Sequence, residues 1–270
     1  MSSSGWRFTF APAAAALLVA WVIHASVGLT DHAAAIAATV AGAAFVASIV
    51  GFAFAALAGS AFAYLRVEPV HAVHTIVVCS IAIQFYAVWK IRRAIRWRPL
   101  LPMIVAGSLT APLGVWLLRH VDGSLYALGL GVFLSVYGGY TVLRRACRAR
   151  PASRCVDIVV GALGGVTAGL AGLPGPAVTI WCSPRGLDKL QQRATYQPFI
   201  LAMQFVVLYC LHRYDTSTMS AEDLAFVPSA LLGGIAGFAL FERMTGRQFH
   251  AMTSLLLVVS GIGLLTRAAI

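Results

Sequence analysis

The chain has 270 residues, 60% of them hydrophobic and only 11% charged, with a mean hydropathy of +0.84. Soluble domains are about a quarter charged. That balance excludes a soluble globular protein, and no polar stretch is long enough for an appended soluble domain, so residues 1–270 read as a single membrane domain. The formal charge of +11 would suit nucleic acid, but the basic residues lie in short loops between apolar runs, where membrane topology accounts for them.

Apolar segments of spanning length occupy roughly residues 10–30, 36–64, 70–89, 99–119, 124–143, 156–182, 194–212, 223–241 and 248–267. The first begins after Arg7 and ends in small residues at "HASVG", as a signal peptide does. It is long enough to span, and a retained helix is the expectation for residues 1–35.

Two loops are densely basic, "KIRRAIRWRP" (90–99) and "LRRACRARPASR" (143–154). Two spans separate them, so they share a side, and the positive-inside tendency makes that side the cytoplasm. The segments 36–64 and 156–182 can each span once or dip in and return. The re-entrant reading places more of the 20 Lys and Arg residues on the basic side.

That reading explains "GLAGLPGPAV" (169–178), which puts helix breakers in the middle of an apolar segment. Non-helical backbone is tolerated at membrane depth where protein buries it or where it lines a cavity. Gly172, Leu173, Pro174, Gly175 and Pro176 are therefore candidates for a backbone nest that takes an anion; the alternative is a kink that lets helices pack closely. The first-half counterpart, "GFAFAALAGSAFAYL" (51–65), predicts a break at Gly59-Ser60.

Two halves are aligned by weak matches. Thr75, Gln84 and Phe85 precede Thr195, Gln204 and Phe205 by 120 residues, and Gly114, Gly123 and Gly138 precede Gly237, Gly246 and Gly261 by 123. The halves cover about 36–147 and 155–268. Each holds one re-entrant or broken helix and three transmembrane helices, so the second enters from the opposite side. The expected fold is an all-α polytopic membrane protein with an inverted-topology repeat behind one N-terminal helix, the architecture of many secondary transporters. Paired broken segments in such folds form the substrate site, and half-helix N-termini suit an anion.

Other polar residues within or beside the spans have both structural and functional readings. Thr75 and Thr195 are expected at or near helix starts, as caps or as anion donors. Gln84, Gln197 and Gln204 are inter-helix hydrogen bonds or substrate ligands. Arg193 precedes its segment, as a topology-setting residue or an attractor at the cytoplasmic mouth. His71 and His74 share a face of the third segment and are the available proton carriers, since the acids lie in loops or near segment ends. Two histidines are too few for a metal site, and the scattered cysteines show no metal spacing. No GxSxG or HExxH motif supports an enzyme. Ser60 with His71 or His74 is the residual intramembrane-enzyme reading, and a non-transporting membrane subunit or receptor is another.

With its broken Gly-rich helices, "GLAGLPGPA", "RAT" at 193–195 and "APLGVWLL" at 111–118, the chain resembles the TauE/SafE family of sulfite exporters over about residues 40–268. It departs from the family pattern at "ALAGSAFA" and "HAVHTIVV". The resemblance implies a multi-pass permease of the bacterial inner membrane that exports sulfite, a sulfonate such as sulfoacetate, or a related small anion. It implies no cofactor and no metal, and it is compatible with a homodimer. The expected substrate contacts are Gly59, Ser60, His74, Thr75, Gly172, Leu173, Pro174, Gly175, Pro176, Thr195 and Gln197. Uptake of thiosulfate, with Cys79, Cys182 or Cys210 as a soft contact, is the transport alternative.

Overall fold

The computed structural model describes residues 32–65, 69–118, 153–182, 187–214, 224–249 and 251–253, with Val132, Arg185 and Leu255. The expected N-terminal helix, the segment 124–143 and nearly all of the last segment lie outside the described residues. Among those described, the elements are helices: α1 (His32–Val50), α2 (Phe54–Tyr64), α3 (Pro69–Ile91), a 3₁₀ turn (Arg92–Ala94), α4 (Trp97–Leu118), α5 (Arg154–Ala171), α6 (Gly175–Cys182), α7 (Lys189–Tyr214) and α8 (Val227–Arg243). The two segments expected to be broken, 36–64 and 156–182, are each divided into two helices.

Among the described residues many large apolar side chains are exposed, as on a lipid-facing surface. On α4, Leu101, Val105, Leu109, Leu113 and Trp116 form an exposed stripe on successive turns, while Leu100, Met103, Ala111 and Val115 are buried. Three described helices are long and apolar enough to cross a bilayer, Ala33–Val50, Thr75–Ala94 and Trp97–Leu117. The protein is a multi-pass helical membrane protein.

Close packing is built on small residues, because lipid supplies no hydrophobic drive between helices. α5 presents Gly161, Gly165 and Gly169 on successive turns to α4. A Cβ at Gly165 would stand 2.1 Å from Gly107 O, so the two backbones touch. Thr110 on α4 adds a hydrogen bond to Ala162 O at 2.7 Å. α8 meets α1 in the same manner, and a Cβ at Gly237 would stand 2.1 Å from Phe45 O. α3 and α7 also pack on one another, α7 against α4 and α3 against α8. Element positions recur along the chain: α1 and α5 end, α2 and α6 begin, and α3 and α7 begin at spacings of 120 or 121 residues.

Candidate functional site

The first break is Gly51–Phe52–Ala53. Gly51 and Ala53 both have positive φ, +93° and +75°, and Ala53 is a rare non-glycine in that region. A helix end leaves its last carbonyls without intrahelical donors. Here other helices supply them. Arg193 Nη2 donates to Ser48 O, Tyr196 Oη donates to Val50 O, and Gln84 Nε2 donates to Gly51 O at 3.1 Å. The Tyr196 ring lies so close to Gly51 that an added Cβ would stand 2.7 Å from it. The break expected at Gly59-Ser60 is thus displaced by some eight residues, and both residues lie within α2. Nothing at Gly59 requires glycine, since a Cβ there would meet only Ile76 at an ordinary 3.7 Å. The chain breaks where α3 and α7 offer donors.

The second break is Gly172–Leu173–Pro174, within the predicted stretch. Gly172, at φ +63°, ends α5 and donates its N–H to Ala168 O at 2.7 Å. Leu173, Pro174, Gly175 and Pro176 are buried, and Gly175 and Pro176 open α6, where proline's missing N–H costs nothing. The chain then turns back. Trp181 Nε1, near the end of α6, donates to Oδ1 of Asp157 in the first turn of α5 at 2.7 Å. Arg185 pairs with the same oxygen at 3.3 Å and lies over the Trp181 ring.

The two breaks touch. A Cβ at Gly175 would stand 2.8 Å from Phe52 Cβ and 3.1 Å from Ile200 Cδ1. α7 runs past both. Tyr196 packs edge-on against Phe52, with ring centroids 6.4 Å apart. Phe199 fills the space beside Gly164, next to Pro174 O.

Arg193 is the residue whose setting differs most from expectation. It lies inside α7, at the fifth residue of the helix, and is fully buried at 0% exposure. Its guanidinium lies 3.7 Å from the Phe241 ring centroid and 5.1 Å from that of Phe238. Nε and Nη1 have no hydrogen-bond partner among the described residues. Gln197, one turn on and 1% exposed, has an unpartnered Oε1, and so does Gln204 farther along. Gln204 Nε2 donates to Ser80 Oγ of α3. The unpartnered Oγ1 of buried Thr179 lies on α6.

Thr75 and Thr195 stand near helix starts. Both are in the second turn, of α3 and α7. Thr195 Oγ1 donates to Gln191 O of its own helix at 2.9 Å. α7 is capped instead by Asp188, whose Oδ1 accepts from the N–H groups of Leu190 and Gln191 at 2.9 and 2.7 Å. Lys189, ahead of the apolar segment, donates to three carbonyls at the end of α8, those of Phe241 (2.8 Å), Glu242 (3.0 Å) and Met244 (2.6 Å). Burial, then the neighbouring Arg193 charge, lowers its ammonium pKa from the usual lysine value. Ser60 and His74 belong to the helical backbone of α2 and α3; their side chains are outside the described residues.

The model of the family Sulfite exporter TauE/SafE matches residues 34–264. The chain belongs to the TauE/SafE family. Comparison with curated proteins and with solved structures gives no match. TauE/SafE membership points to a membrane anion transporter.

Proposed function

We propose that this TauE/SafE protein is a secondary permease of the bacterial inner membrane that exports a small sulfur-containing or organic anion, such as sulfite or sulfoacetate. The anion binds where the two breaks meet, and the observation that carries this reading is the contact of Phe52 with Gly175. It sets the N-terminus of α6, with its partial positive charge, against the first break at a buried point. The inverted-topology repeat is part of the proposal. Supporting it are the recurring element spacing and the exchanged packing, in which α4 of the first half lies on α5 of the second and α8 lies on α1. The hydrogen bond from Trp181 to Asp157 supports a re-entrant α5–α6 hairpin. A negative-inside potential drives anion export by about 2.3 kcal/mol per charge per 100 mV.

The test is flux in proteoliposomes across sulfite, sulfoacetate, thiosulfate and small carboxylates. Saturable flux of one anion is expected in the wild type, and loss of that flux is expected in a Gly175→Leu variant that still inserts. Flux at the wild-type rate in that variant would remove the break-to-break site.

A further inference from the structure

We infer that Arg193 carries the charge that binds the transported anion, and that the site therefore takes a small oxyanion bearing no ammonium group. This rests on the permease reading. Arg193 is fully buried and stacked on Phe241. Its guanidinium donates to Ser48 O, in the last turn of α1, with the Tyr196 hydroxyl and the Glu242 carboxylate also acting on it. A helix C-terminus offers about half a negative charge, and Nε and Nη1 have no hydrogen-bond partner among the described residues. A buried cation normally has a full partner, and an ionisable group at membrane depth marks a substrate pathway.

Two of the described acids are committed elsewhere, and the third, Glu242, acts on Arg193 only from an exposed position. Asp157 holds Arg185 and Trp181. Asp188 caps α7. Glu242 is exposed at the end of α8. The remaining acids, Asp31, Glu68, Asp122, Asp215, Glu222 and Asp223, fall between apolar segments of the sequence. Among the described residues, Nε and Nη1 thus remain for an external anion.

The donors for it are in place. Nε and Nη1 of Arg193 have no partner among the described residues, and charge-assisted hydrogen bonds from guanidinium to oxyanion are the strong ones. Ser48 is three residues before Gly51, so the guanidinium reaches the edge of the first break. An ammonium group bound there would face the arginine charge.

The deciding experiment uses purified full-length protein in proteoliposomes. Isethionate and taurine are sulfonates of one size that differ in hydroxyl against ammonium. We expect isethionate to compete with sulfite flux and taurine to compete at least tenfold more weakly. Arg193→Gln should lower anion flux at least tenfold, while Arg193→Lys keeps measurable flux with a raised KM. Equal competition by taurine and isethionate overturns the assignment, as does wild-type KM in Arg193→Gln. Should Arg193→Gln fail to fold, the wild-type competition decides alone. A wild-type protein that carries no anion of the panel overturns the permease reading and this assignment with it.

Discussion

At Ala53 the backbone holds a left-handed conformation without the glycine that would make it easy. That conformation costs an L-residue about 1–2 kcal/mol, and a glycine in its place forfeits about 0.5–1 kcal/mol of chain entropy. Ala53→Gly should therefore stabilise the protein, by about 0.5 kcal/mol, read as a higher melting temperature in detergent. Gly51→Ala should do the opposite. It adds left-handed strain and drives a methyl into the Tyr196 ring, a combined loss of about 2–4 kcal/mol. These two residues also show what the sequence could convey. The second break was readable because "GLPGPA" breaks a helix by its own chemistry. The first was misplaced because "GFA" is a poor local signal, and its carbonyls are held by Gln84, Arg193 and Tyr196 from distant parts of the chain. Arg193 was visible as a residue, but its burial depends on α1 and α8 closing over it.

Among the helices, positions were legible from hydropathy and contacts were not. Apolar length located α3, α4, α7 and α8 within a few residues. α7 begins five residues before its apolar segment because Asp188 caps a polar first turn. The glycine ridge on α5 has a four-residue period that its sequence carries openly, yet only the partner α4 gives it meaning. Gly165→Leu should force α4 and α5 apart and cost at least about 3 kcal/mol, measured as a fall in melting temperature and folded yield. Asp157→Asn keeps an acceptor for Trp181 while removing the charge that pairs with Arg185. It should loosen the end of α6 alone, seen as faster hydrogen exchange in residues 175–182 with exchange in α4 unchanged.

Taken as one body, the molecule has a predicted sidedness. Cys155 is an exposed free thiol at the start of α5, next to the basic loop 143–154, whereas Cys79, Cys182 and Cys210 are buried. In a Cys147→Ala background, a membrane-impermeant maleimide should label Cys155 in inverted vesicles and leave it unlabelled in intact cells. The reverse pattern would invert the topology. The glycine contacts have one more consequence, for biogenesis. The tightest helix pairs, α4 with α5 and α8 with α1, each join an early part of the chain to a late one. A nascent chain released after the first half owns neither pair. It emerges from the translocon with its closest-fitting surfaces bare and must wait there for its second half. Two genes encoding residues 1–150 and 151–270 should therefore yield stable protein only when expressed together, each fragment alone being degraded.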